Sequence, residues 1–326
     1  MKTGQCTLSR SIIFGLVLLI LLPALSHAQE YPKRPINLLC AFGAGTAVDI
    51  AGRTLATKAE KSLGQPIIFG NNPAGGAMVA PSLVAKEKPD GYHLVLSTSV
   101  GLAWIPQFRK VNHKYDDFSM IMQWGRPQVG LVVRADAPYK TLKEFVEYAR
   151  KHPGKVTYNS TGKGSPKQVG LDFIAKQENV KFSFIPYDAD NLALAALMGG
   201  HVDASAVSTT FIPYVQQGKL RLLATYGEDK RMKSFPDVPT LREAGYDFFE
   251  PATFLIAGPA KMPAPIVNKL DEAFRKAMED PEFVQVMART EIEISYRNPA
   301  QLTTFIADLY TRTNKLIKEL NLPKEQ

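Results

Sequence analysis

The stretch Ile36-Asn37-Leu38-Leu39-Cys40-Ala41-Phe42-Gly43-Ala44-Gly45-Thr46-Ala47-Val48-Asp49 reads as three things in succession. Residues 36–42 form a short apolar run of strand length. Gly43 to Gly45 are small enough for the chain to turn sharply. From Ala47 an amphipathic helical pattern continues to Ser62. The same grammar recurs along the chain. Further strands are expected at 66–70, 93–98, 129–133, 156–159, 182–186, 204–207, 220–225, 253–257 and 291–295. Helices are expected between them at 77–86, 142–151, 167–176, 192–198, 266–278 and 299–320. Strands alternating with helices predict an α/β fold of parallel, doubly wound sheets covered on both faces. At 326 residues the length corresponds to about two domains.

Glycines concentrate where strands hand over to helices. Besides Phe42 to Thr46, the second strand ends in Asn72-Pro73-Ala74-Gly75-Gly76. In the second half, Ser160-Thr161-Gly162-Lys163-Gly164-Ser165-Pro166-Lys167 opens a helix. In open α/β sheets, ligands collect outside the carboxyl ends of the strands, and helix N-termini favour negative charge. Three such loops predict an anion-binding cleft. Gly43-x-Gly45 is not a dinucleotide fingerprint, because Val48 stands at the third glycine position. Gly162-Lys163-Gly164 is not a phosphate loop, because neither Ser nor Thr follows the lysine.

The remaining composition narrows the classes. Lys2 and Arg10, the apolar run 12–22 and Ser26-His27-Ala28 read as an export signal cleaved after residue 28, with a run too short to span a membrane. Its removal takes two basic residues and lowers the formal charge from +8 to +6. That excess suits an anionic partner, and no Lys/Arg run exceeds two residues, so nucleic acid is not expected. Cys40 is left as a single cysteine in an apolar run and reads as a buried, inert thiol. Histidines at 27, 93, 113, 152 and 201 lack ligand spacing, so neither metal nor cofactor is expected.

Order and spacing of many short motifs along the mature chain resemble the Bug-type solute receptors of tripartite tricarboxylate transporters. They are Tyr31-Pro32-x-Arg34-Pro35-Ile36, the glycine loop ending in Asp49, Gly64-Gln65-Pro66, Asn72-x-Ala74-Gly75-Gly76, Pro89-Asp90-Gly91-Tyr92 and Pro153-Gly154-Lys155. The loop 160–165, Pro186-Tyr187, Gly199-Gly200-x-Val202-Asp203, Gly218-Lys219-Leu220-Arg221 and Pro236-Asp237-Val238-Pro239-Thr240 complete them. The resemblance implies a bilobed periplasmic-binding-protein fold, two sheet domains joined by a hinge, that closes on a small carboxylate and delivers it to a membrane permease. It places residues 29–126 plus 252–326 in lobe I and 127–251 in lobe II. One ligand carboxylate would rest on the two glycine loops of lobe I, partly through water. The chain departs from the family at three places. The first loop lacks the usual prolines, Lys163 and Lys167 stand where Asn and His are common, and Ser208-Thr209-Thr210 occupies a stretch that often holds an acid. More positive charge and one fewer acid favour a di- or aromatic carboxylate without an amine.

The expected ligand-binding residues are therefore Phe42, Gly43, Ala44, Gly45, Thr46, Ala74, Gly75, Gly76 and Ser97 on one side. On the other they are Ser160, Thr161, Lys163, Ser165, Lys167, Tyr187 and Ser208. Several have a simpler reading. Lysines are normally solvated, Ser165 before Pro166 is a good helix cap, Asp49 suits the first turn of a helix, and Trp104 and Trp124 read as packing residues. A hydrolase would want a Gly-x-Ser-x-Gly elbow, which is absent. A receptor, expected as a monomer, could equally serve a membrane sensor as a permease, since both need the same closing cleft.

Overall fold

The structure is a computed structural model that describes residues 31–322. The expected signal segment 1–28 lies outside the described residues. In chain order the main elements are β1 Ile36–Cys40, α1 Ala47–Leu63, β2 Ile67–Asn71, α2 Val79–Val84, β3 His93–Thr98 and β4 Phe118–Arg126. Next come β5 Val129–Arg134, α3 Leu142–Lys151, β6 Thr157–Thr161, α4 Pro166–Glu178, β7 Ser183–Tyr187, α5 Asp190–Met198, β8 Ala204–Ser208, α6 Ile212–Gln216 and β9 Leu220–Thr225. The chain ends with β10 Phe254–Pro259, α7 Ala264–Ala277, α8 Pro281–Arg289, β11 Glu293–Arg297 and α9 Pro299–Glu319.

These strands form two sheets. The first has the order β11-β4-β10-β3-β1-β2 and the second β7-β6-β8-β5-β9. Both are mixed, which corrects the expectation of parallel sheets. In the first, β1 pairs parallel with β2 and β3, while β10 runs against β3 and β4, and β11 against β4. In the second, β6 is parallel to β7 and β8, and β5 runs against β8 and β9. The reversals of β5 and β10 have one cause. The chain leaves the first sheet at the carboxyl end of β4 and enters the second as β5, and it leaves the carboxyl end of β9 to return as β10. Each incoming strand starts at the edge where its neighbours end: Val129 pairs with Ser208, and Phe254 with Thr98. Both crossings therefore join carboxyl edges, and the two edges face one another.

Strand β4 was not legible as a strand. Its residues, Phe-Ser-Met-Ile-Met-Gln-Trp-Gly-Arg, lack β-branched enrichment and do not alternate, because β4 is covered on both faces and nearly all of it is buried. Helix α8 was also missed, although Asp280 caps it and Pro281 occupies its first turn. The core has three parts. One lies against β1 and α1, one against β8 and α5, and the largest runs through both sheets, from Leu102 and Trp104 by way of Leu131 and Tyr158 to Leu302 and Ile306. Cys40 is fully buried, and burial raises its thiol to about 11, so it is inert.

Candidate functional site

On the carboxyl edge of the first sheet, the glycine loop after β1 is shaped by one acid. Asp49 is 4 % exposed and accepts hydrogen bonds from the Gly45 N–H (2.8 Å), Asn71 Nδ2 (2.8 Å) and Arg53 Nη2 (3.0 Å). Burial pushes its carboxyl up, but the bonds from Asn71, Gly45 and Arg53 outweigh that and hold it below the ordinary range. Asn71 also donates to the Phe42 carbonyl at 2.9 Å, tying the loop to the end of β2. Thr46 caps α1, donating to the Gly43 carbonyl and accepting from the Asp49 N–H. Gly45 is thus committed to the loop itself. The Gly43 and Ala44 N–H groups have no hydrogen-bond partner among the described residues.

The second loop follows β2. Asn72 Oδ1 accepts the Ala74 N–H, and Gly75, Gly76 and Ala77 all have positive φ, at 63°, 63° and 70°. This left-handed turn leaves the Gly75 and Gly76 N–H groups exposed and without a partner among the described residues, a backbone concavity of the kind that binds anions. Arg109 Nη2 donates to the Gly75 carbonyl at 3.3 Å and puts a cation beside the turn. Ser97, at the end of β3, is 1 % exposed. Phe42 is half-buried and meets Phe254 edge to face, with ring centroids 6.3 Å apart.

Across the gap, the second sheet gathers Thr161, Lys167 and Ser208 around Asp190, a residue the sequence did not single out. Lys167 Nζ lies 2.7 and 2.8 Å from the two Asp190 oxygens, Thr161 Oγ1 donates to Oδ1 at 3.1 Å, and the Ser208 N–H donates to Oδ2 at 3.0 Å. Burial raises the Asp190 carboxyl, but the Lys167 charge and these bonds bring it below the ordinary range. Ser165 caps α4, and Tyr187 is half-buried with its carbonyl accepting the Gly162 N–H. Ser160 is fully buried, and its Oγ finds no partner among the described residues. Lys163 is exposed at the loop tip and has no ion-pair partner among the described residues.

The two sides touch through Trp104. This residue is buried, as expected of a packing residue, but its Nε1 also donates to the Gly164 carbonyl at 2.9 Å. Gly164 has φ +75°, a conformation that strains any side chain, and a Cβ there would sit a tight 3.1 Å from the Phe108 ring. Glu250, on the return crossing, is 4 % exposed with only the Ala252 N–H bonded to its carboxylate among the described residues. Burial raises it to about 7 against the pull of Lys167 and Arg126.

A family model described as the tripartite tricarboxylate transporter family receptor matches residues 51–322. The chain belongs to the tripartite tricarboxylate transporter receptor family. A UPF0065 protein of Cupriavidus necator is 38 % identical over 306 residues, covering 94 % of this chain and 93 % of that one. The crystal structure of a TctC solute-binding protein from Polaromonas, solved without ligand, is 29 % identical with a TM-score of 0.77 and covers 89 % of this chain and 99 % of its own. MatC from Rhodopseudomonas palustris, solved with bound malate, is 25 % identical with a TM-score of 0.70, covering 88 % and 100 % of the two chains. The family consists of periplasmic solute-binding receptors and not of enzymes, and the two facing sheets are its bilobed fold.

Proposed function

We propose that this protein is exported to the periplasm through a signal peptide at 1–28, captures a small dicarboxylate between its lobes and hands it to a tripartite permease. Residues 29–126 with 252–326 make lobe I, 127–251 make lobe II, and the protein works as a monomer. The observation that carries this reading is the asymmetry of the two facing edges. Lobe I offers N–H groups at Gly43, Ala44, Gly75 and Gly76 that have no partner among the described residues, the donors a carboxylate needs. Lobe II offers the ammonium of Lys163, unpaired among the described residues, on a loop that opens a helix. The MatC relative holds malate, which supports a ligand with a carboxylate at each end.

A charge-assisted hydrogen bond contributes roughly 1.5–3 kcal/mol, so Lys163→Ala is expected to weaken a dicarboxylate by about one to two decades. A matched monocarboxylate, held by lobe I alone, should be spared. Calorimetric titration of both ligands against both proteins decides it. Equal losses, or none, would remove Lys163 as the second clamp.

A further inference from the structure

Asp190 stands at the head of α5, beside the carboxyl ends of β6 and β8, where the proposed ligand would meet lobe II. An acid in such a place is the natural partner for a ligand ammonium. Here it is already saturated. Lys167 Nζ bridges both oxygens at 2.7 and 2.8 Å, Thr161 Oγ1 and the Ser208 N–H occupy one oxygen each, and the four hydrogen bonds from these three groups fill the lone-pair sites of a carboxylate. The pair is partly sheltered, with side-chain exposures of 14 % for Lys167 and 17 % for Asp190. Lys167 is fixed from behind as well, because Tyr226 Oη donates to its carbonyl at 3.1 Å. On lobe I the corresponding acid, Asp49, is filled in the same way by Gly45, Asn71 and Arg53.

We infer that Lys167 is a specificity-determining residue: by saturating Asp190 it removes the acceptor for an ammonium and makes the cleft select diacids over their amino analogues. The inference rests on the dicarboxylate reading above. It differs from a direct role for Lys167 in holding the ligand, since its ammonium is engaged by Asp190 and the unpaired cation of the loop is Lys163. The two lysines therefore do different work. Lys163 would attract the second carboxylate, and Lys167 would silence the acid beside it. Asp188 is exposed two residues before Asp190, and Glu250, buried on the crossing, feels the charges of Lys167 and Asp190 but does not stand at the head of α5.

The test compares ligands that differ only in the amine, L-malate with L-aspartate and glutarate with L-glutamate, by calorimetric titration. Wild type should prefer the amine-free member of each pair. Lys167→Met keeps the length of the side chain, removes its charge and frees Asp190. It should shift the preference towards the amino acid by at least tenfold, with weaker binding of the diacid. Lys167→Met combined with Asp190→Asn restores neutrality and should return the preference to the wild-type side. Should Lys167→Met fail to fold, Lys167→Gln, which retains a hydrogen-bond donor without charge, carries the same comparison. A merely structural role would weaken both members of a pair alike, and an unchanged ratio in the single variant would overturn the inference alone. Wild type that binds none of the four ligands would overturn the dicarboxylate reading and the inference with it.

Discussion

At the scale of single residues, three sheltered acids behave in two ways. Asp49 and Asp190 are surrounded by donors and stay ionised, whereas Glu250 has one backbone donor and a carboxyl raised to about 7 from an ordinary 4.5. Between those two values the folded protein holds a proton that the unfolded chain has released. Stability contributed at this site must therefore fall as pH rises from about 4.5 to about 7 and then level off. Each unit of displacement corresponds to about 1.4 kcal/mol, so the loss is on the order of 3 kcal/mol. Glu250→Gln is neutral at every pH. It should match wild type near pH 4.5 and exceed it by about 1–3 kcal/mol at pH 8. Urea unfolding of both proteins across that range checks the sign, and parallel curves would show that Glu250 does not titrate there.

At the scale of elements, five of the named helices begin on side-chain caps. Thr46, Thr141, Ser165, Asp280 and Asn298 each accept a backbone N–H of the first turn. The cap of α9 is a full box: Asn298 accepts from the Gln301 N–H at 2.9 Å, and Gln301 accepts from the Asn298 N–H at 3.1 Å. Helix α9 buries Leu302, Ile306, Leu309, Thr313 and Ile317 along one face. It also reaches the second lobe, where Arg312 lies over the Phe249 ring and Lys176 meets the Glu319 carbonyl. Asn298→Ala should cost about 1 kcal/mol, read as a lower urea midpoint at unchanged slope. A changed slope instead would mean that α9 comes loose from the second lobe as a unit.

At the scale of the whole molecule, the lobes are joined by two crossings and by charge. Glu228, just past β9, lies 2.9 Å from both Arg126 at the end of β4 and Arg297 at the end of β11, so one carboxylate at the exit of the second sheet holds two guanidiniums at strand ends of the first. This seam sits beside the crossings. A ligand that touches both edges stabilises the closed form by its differential affinity for that form. X-ray scattering should accordingly give a smaller radius of gyration with saturating dicarboxylate than without. An unchanged profile would remove closure from the mechanism.

What the sequence determined by itself is local. The alternation of apolar runs with amphipathic stretches, the caps and the glycine-rich turns depend on residues within a few positions of one another, and they were legible as an α/β chain with glycine-rich loops at its strand ends. The strands that escaped this reading, or reversed against it, did so for a tertiary reason. Strand β4 is buried on both faces and shows no alternation, and β5 and β10 run backwards because each enters its sheet at the edge where the chain crosses. The site divides the same way. Gly75 and Gly76 could be placed on a tight turn at a strand end from local sequence alone, but Lys167 and Asp190 are 23 residues apart, Asp49 and Asn71 are 22 apart, and Trp104 and Gly164 are 60 apart. Whether a lysine faces a ligand or an internal acid is decided by which strand ends the sheet order sets side by side, and no local pattern carries that information.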